Sequence, residues 1–204
     1  METTTIDILR HGRTTADDIF RGQVDTPLAE EGFLQMQASL APYRDPSPWQ
    51  LVISSPLQRC LNFAETLAQE INSEVLTQRG FIEMDYGDWD GRPFKEVRAE
   101  DPELFNNVWQ KPYDYAPPNG ETFHDFYERV DGAWQQLVSD HQGKHMLLVC
   151  HGGVIRALLG KLMQSPLTAL SRIDVPYASL SQIKIYHQPG RADWPQLSFH
   201  RPRP

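Results

Sequence analysis

Hydrophobic positions along the chain follow two rhythms that alternate: short continuous or period-two runs, and longer stretches at helical spacing. The first run, Ile6-Asp7-Ile8-Leu9, stops at Arg10-His11-Gly12, which predicts a strand delivering a cation and an imidazole to a turn. Gly12 to Gly22 reads as a loop, and Asp25-Thr26-Pro27-Leu28 as a helix lead-in. Phe33, Met36, Leu40 and Tyr43 then predict a helix over 29–43, ended by prolines at 42, 46 and 48. Residues 50–53 form the next apolar run. Ser54-Ser55-Pro56 after it offers N-cap residues and a helix-starting proline. The helix that follows carries Leu57, Cys60, Leu61, Ala64, Leu67, Ala68 and Ile71 as its apolar stripe. Arg59 falls off that stripe in the first turn, near the carboxyl edge of the sheet, and 74–77 is the next strand.

Between 81 and 119 the pattern weakens, with only short helices expected at 94–100 and 102–110. This stretch reads as an insertion folded over the sheet. A helix over 121–141 turns Phe123, Phe126, Val130, Ala133, Trp134 and Leu137 inward. The strand 145–150 ends in His151-Gly152-Gly153, repeating the opening architecture, and a helix over 154–163 follows. Residues 180–187 and 196–200, flanking Pro189-Gly190, predict a terminal hairpin. The alternation predicts an α/β fold, a three-layer α/β/α sandwich around a mostly parallel sheet. One domain is expected over 1–204, with 81–119 as an insertion or cap at the active-site edge.

Charge narrows the partners. Nineteen Lys and Arg against 27 Asp and Glu give a net charge of −8, so the basic footprint of a nucleic-acid binder is missing. An anionic ligand would need positive charge gathered locally, which singles out Arg10, Arg13, Arg21 and Arg59. No apolar run approaches the roughly 18 residues of a membrane helix, and no basic leader precedes one, so neither membrane nor export is expected and the cytoplasm is. Cys60 and Cys150 sit in apolar patterns, as buried free thiols do. The seven histidines lack close metal-ligand spacing, and no metal or other cofactor is expected. Nothing in the sequence sets an oligomeric state.

Arg10-His11, Arg59, Glu83 and His151 arrive from separate strand ends. The set suits a phosphorylated small molecule: guanidinium groups bind phosphoryl oxygens in pairs, an imidazole attacks phosphorus, and a carboxyl group protonates the leaving oxygen. Asp85 and Glu121 are alternative acids. His124, His141, His145, His187 and His200 have surface or edge explanations, and Trp89, Trp109, Tyr113 and Tyr115 read as core of the insertion more than as a stacking platform.

With these residues in view, the sequence resembles the histidine phosphatase superfamily, the phosphoglycerate-mutase-like proteins. The resemblance covers nearly the whole chain through Leu9-Arg10-His11-Gly12, Asp25-x-Pro27-Leu28 with Gly32, Ser54-Ser55-Pro56-x-x-Arg59-Cys60, Glu83-x-x-x-Gly87-x-Trp89-x-Gly91, Asn119-Gly120-Glu121 and His151-Gly152. It implies His11 as a nucleophile that forms a phosphohistidine, Arg10, Arg59 and His151 as phosphoryl ligands, and Glu83 as general acid. A neutral His11 and a cationic His151 suit those roles, and Phe81, Met84, Tyr86 and Trp89 could give Glu83 the apolar surroundings in which a carboxyl group keeps its proton. Three positions depart from the family pattern: Asp17 in place of an asparagine, Arg21 in place of a small hydroxyl residue, and Arg13 in place of an acid or amide. These are candidate substrate contacts, with Arg21 expected to neutralise Asp17 or to take over a ligand contact. Within the superfamily, the blocks around Phe20, Glu83 and Asn119 are most similar to alpha-ribazole phosphatases, which remove the 5'-phosphate of a benzimidazole riboside in cobalamin lower-ligand assembly. The alternatives are a broad-specificity sugar or nucleotide phosphatase, a phosphoglycerate mutase, or a phosphate-binding module without turnover.

Overall fold

The computed structural model describes residues 2–16 and 18–201. Six strands form one sheet: β1 (Glu2–Arg10), β2 (Leu51–Ser54), β3 (Val75–Thr77), β4 (His145–Cys150), β5 (Leu180–His187) and β6 (Trp194–Arg201). Their order is β3-β2-β4-β1-β5-β6; the first four run parallel, and the hairpin of β5 and β6 adds two antiparallel strands beside β1. The sheet is therefore mixed and mostly parallel. Burial on both faces explains the continuous apolar runs of β2 and β4.

Among the described residues there are six α-helices, α1 (Glu30–Leu40), α2 (Gln58–Ile71), α3 (Phe94–Glu100), α4 (Pro102–Gln110), α5 (Phe123–Asp140) and α6 (Gly152–Leu162), of which α1, α2, α5 and α6 cover the sheet. Ile6, Ile8, Ile53, Met146 and Leu148 face α5 and α6, whereas Leu9, Val52, Leu147 and Val149 face α1 and α2. The side-chain period of two thus splits each strand between two cores, and the three layers follow. Asp7 breaks the pattern, because it is buried too. Its carboxylate accepts from Trp49 Nε1 (2.8 Å), Gln182 Nε2 (3.0 Å) and the His145 ring (2.8 Å), which replaces the water it lost. No helix among the described residues is long and apolar enough to cross a membrane.

Helix boundaries differ from the sequence expectation where caps come from a distance. Pro42 cannot donate a backbone N–H, so α1 tightens into a 3-10 turn over Ala41–Tyr43. Ser54-Ser55-Pro56 does not cap α2; the carboxylate of Asp25 accepts the Gln58 N–H at 2.8 Å instead. Phe63, not Leu61, completes the buried face of α2. Thr122 caps α5 by accepting from the Asp125 N–H at 3.0 Å. α3 and α4 lie where periodicity put them, and Val97 and Val108 join Phe20 and Trp89 in a separate small core. That core ties the loop after β1 to the segment around α3 and α4.

Two backbones meet behind the end of β1. A methyl group on Gly12 would overlap the Gly32 carbonyl, and one on Gly32 would overlap the Arg13 carbonyl, so the chain leaving His11 lies directly on the start of α1. We expect Gly32→Ala to lower stability by about 1–3 kcal/mol, read as a fall in the urea midpoint at unchanged slope.

Candidate active site

Register decides what comes together. Arg10 pairs with Cys150 and Ser54 with Val149, so β1, β4 and β2 release His11, His151 and Ser55 at one edge of the sheet. Backbone bonds His11 N to Cys150 O and Ser55 N to Val149 O, both 3.0 Å, fix the level at which each chain turns away. This is the carboxyl end of the parallel strands, where open α/β sheets bind ligands.

His11 is buried, and its Nδ1 lies 2.8 Å from the Gly12 carbonyl. A carbonyl only accepts, so Nδ1 carries the proton and Nε2 keeps its lone pair. Burial first, then the charges of Arg10 and Arg59, hold the His11 pKa well below the usual histidine range. The imidazole is neutral, with its Nε2 lone pair free of the Gly12 contact. The ring of His151 lies 5.3 Å away, edge-on.

The expectation of a cationic His151 is corrected. Arg59 Nε donates to His151 Nδ1 at 3.2 Å, which leaves the proton on Nε2, directed at Ser55 Oγ at 2.7 Å. The ring is fully buried; that burial, followed by the charges of Arg59, His11 and Arg10, pushes its pKa well below the normal value. His151 is a neutral donor.

Arg59 is fully buried as well, and donates to the carbonyls of Val24 (2.9 Å) and Gly22 (2.6 Å). Arg10 donates to Val175 O and lies 4.2 Å from the centre of the Tyr177 ring, while its Nε is buried without a partner. Arg21 donates to Tyr177 Oη at 2.9 Å and to the Ala16 carbonyl, and its Nε is likewise buried and unpartnered. Arg156, on α6, donates through Nε to Ile173 O at 2.9 Å. Among the described residues, no carboxylate forms an ion pair with any of these four arginines.

Glu83 reaches the same place from the loop after β3. Buried between Phe81 and Met84, it accepts the Met84 N–H at 3.1 Å and the Gly153 N–H at 3.0 Å. A methyl group on Gly153 would clash with Glu83 Oε1, so glycine is what lets the acid stand over the start of α6. The alternative acids are engaged elsewhere. Asp85 accepts the Gly87 N–H at 2.9 Å, and Glu121 pairs with Arg129 at 2.6 Å. Arg129 also collects the carbonyls of Gly80 and Ile82, both at 3.0 Å, and so aims the Glu83 loop.

A cavity of about 230 Å³ has His11, Arg10, Arg21, Glu83, Arg156 and Tyr177 among its walls. A second, of about 290 Å³, shares Tyr86, Phe94, Gly153 and Arg156 with the first and is otherwise largely apolar, walled by Trp109, Phe123, Leu167 and Leu170. Trp109 therefore faces open space, whereas Trp89 is core. Arg13, expected as a substrate contact, is not among the cavity walls: it pairs with Glu31 at 3.3 Å with its guanidinium half exposed, because the chain there lies on α1. Asp17 lies outside the described residues, and the partners described for Arg21 are Tyr177 and Ala16. Tyr177 and Arg156 were not singled out from sequence, Ser55 entered only as a helix-cap candidate and part of a family block, and Gly153 only as the end of the His151-Gly152-Gly153 turn. Arg156 left a signal, being the one charged residue in the run from Val154 to Gly160.

Residues 6–195 match the family model for the histidine phosphatase superfamily, branch 1. The chain belongs to that family. A bifunctional protein of Mycobacterium tuberculosis is 32% identical over 181 residues, covering 88% of this chain and 50% of the relative, so the chain spans about half the length of that relative. An adenosylcobalamin/alpha-ribazole phosphatase of Escherichia coli is 30% identical over 181 residues, 87% of this chain and 88% of its own. Among solved structures, a mycobacterial glucosyl-3-phosphoglycerate phosphatase superposes with a TM-score of 0.83 at 26% identity, over 96% of this chain and 97% of that one. Among the described residues of this histidine phosphatase, no group of three or more His, Cys, Asp or Glu is arranged to hold a metal ion.

Holding two histidines neutral has a price in acid. Their pKa values lie below the unfolded value of 6.5, so the stability they contribute is present above that pH and is lost as pH falls through the window beneath it. Each contributes a slope on the order of 1.4 kcal/mol per pH unit there. We expect urea midpoints to fall between pH 6.5 and 5.5, with a shallower fall in His11→Ala, in which one of the two groups is removed.

Proposed function

We propose that this histidine phosphatase chain hydrolyses phosphomonoesters through a phosphohistidine on His11. The observation that carries this is His11, its Nε2 left with a lone pair by the Nδ1 bond, in the wall of a cavity where Arg10, Arg21 and Arg156 outnumber the carboxylates of Asp18 and Glu83 and form no ion pair with a carboxylate among the described residues. A phosphoryl dianion is the counter-charge such a site lacks, and its oxygens match the forked donors of guanidinium.

In the first step, His11 Nε2 attacks phosphorus in line with the ester oxygen. The P–O bond breaks as the N–P bond forms, and Glu83 gives its proton to the leaving alcohol. Arg10 takes up charge on the phosphoryl oxygens; Arg59 and His151 stand behind it, since neither is among the cavity walls and the His151 Nε2 proton is directed at Ser55. Glu83, now ionised, next accepts a proton from a water attacking phosphorus on the opposite side of the N–P bond. Orthophosphate leaves, His11 regains its lone pair and Glu83 its proton.

The alcohol is read from the adjoining cavity. Trp109, Phe123 and Tyr86 offer flat apolar walls, suited to an alcohol carrying an aromatic ring system. Alpha-ribazole 5'-phosphate, with its benzimidazole, fits that description, and similarity to the Escherichia coli enzyme supports the same substrate. In this reading 1–204 is one domain, and 81–119 is its cap, contributing Tyr86, Phe94 and Trp109 to the alcohol side.

Quenching the enzyme in base during turnover of a ³²P-labelled monoester should trap an acid-labile, base-stable phosphoenzyme that His11→Ala cannot form. That variant should lose roughly 10⁴-fold or more in kcat. No phosphoenzyme and no phosphate release across a panel of monoesters would leave a binding module. Glu83→Gln should slow alkyl monoesters by about 10²–10⁴-fold and 4-nitrophenyl phosphate much less, because nitrophenolate leaves without a proton. Comparison of kcat/KM for alpha-ribazole 5'-phosphate, nucleotides, sugar phosphates and 3-phosphoglycerate tests the alcohol; a preference for any of the last three overturns it.

A further inference from the structure

Of the cavity arginines without a role in the scheme above, Arg21 is engaged by Tyr177 and the Ala16 carbonyl, which leaves Arg156. Its Nε bond to Ile173 O, at 2.9 Å, fixes the plane of the guanidinium, while Nη1 and Nη2 make no hydrogen bond or ion pair among the described residues. It lies one turn after Gly152 on α6, and the absence of a side chain at Gly152 opens the space between two arginines. A methyl group there would stand 3.3 Å from Arg156 Nη1 and 3.3 Å from Arg10 Nε. Arg10 Nε is one of two buried arginine nitrogens, with Arg21 Nε, that have no partner among the described residues. Two guanidinium nitrogens from different elements thus flank the same glycine in the wall of one cavity, where a single phosphoryl group beside Gly152 can meet both. Without an anion they only repel each other.

Arg156 is also a wall of both the arginine-lined cavity and the apolar one. It stands where the phosphoryl group would end and the alcohol begin, with Gly153 and the Glu83 carboxylate beside it. We propose that Arg156 is a further phosphoryl ligand, which closes on the transferred group from the alcohol side and grips it jointly with Arg10. The inference rests on the phosphomonoesterase reading for its catalytic consequence. Its anion-binding part does not depend on turnover, since inorganic phosphate should engage the same nitrogens.

Arg156→Gln and Arg156→Lys test it, with orthophosphate as probe. Titration calorimetry should show at least a tenfold weaker dissociation constant in Arg156→Gln, with part of the affinity restored in Arg156→Lys. Turnover should fall on the order of 100-fold in kcat/KM for 4-nitrophenyl phosphate and for an aromatic riboside 5'-phosphate alike. Unchanged orthophosphate binding in a folded Arg156→Gln overturns the proposal and leaves Arg156 as a tether for the 173–177 loop. A loss confined to substrates with a carboxylate or second phosphate on the alcohol also overturns it, in favour of an anchor for that second anion. Should Arg156→Gln not fold, Arg156→Lys decides alone: wild-type affinity with wild-type turnover would refute the forked contact. Wild-type protein that binds orthophosphate but neither labels nor turns over would sink the enzymatic reading and leave the phosphate contact standing on its own result.

Discussion

A guanidinium group withdrawn from water costs several kcal/mol unless its N–H groups are met and its charge is answered. Arg59 is fully buried, and what meets it is neutral: two backbone carbonyls and the Nδ1 of His151. Much of the surrounding structure can be traced to that requirement. His151 must stay unprotonated on Nδ1 to accept, so its other nitrogen must donate, and Ser55 is placed to receive it. The carbonyls of Gly22 and Val24 must hold still, and Asp90 holds them by accepting the N–H groups of Gly22, Gln23 and Val24 at 2.7, 2.7 and 2.9 Å.

Burial first, and after it the same positive field, explains the histidines. Two imidazoles 5.3 Å apart, buried among arginines, are neutral because protonating either would add to a charge that is already unanswered. For His11 that neutrality leaves Nε2 with its lone pair. For His151 it leaves one ring proton, directed at Ser55. Cys60, whose sulfur lies 3.7 Å from His151 Nε2, stays a thiol: burial raises its pKa more than neighbouring Arg59 lowers it.

Labour is divided between rigid and variable parts of the molecule. Strand ends locked in register supply Arg10, His11 and His151, and the helix after β2 supplies Arg59. The adjoining apolar cavity is walled instead by the loop and helices after β3 and by the turn at 167–172, held through side-chain anchors such as Arg129 and the small core around Phe20. Such an arrangement keeps one end of the site fixed while leaving the other open to change.

Periodicity by itself was enough to place the strands, the long helices and even the short pieces α3 and α4, because each of those signals is a residue's own choice between core and solvent. It also put Arg10, His11, Arg59 and His151 at strand or helix ends, where an α/β sheet collects ligands. Sheet order decided what periodicity could not. Asp25 caps α2 from 33 residues away, Arg59 meets His151 across 92, and Glu83 reaches Gly153 across 70. The protonation state of His151, the turning of Arg13 toward Glu31, and the entry of Tyr177 and Arg156 into the site all follow from such meetings. A sequence shows which side of its own helix or strand a residue occupies. Its partner, and therefore its charge and its chemistry, is set by which element the fold lays alongside.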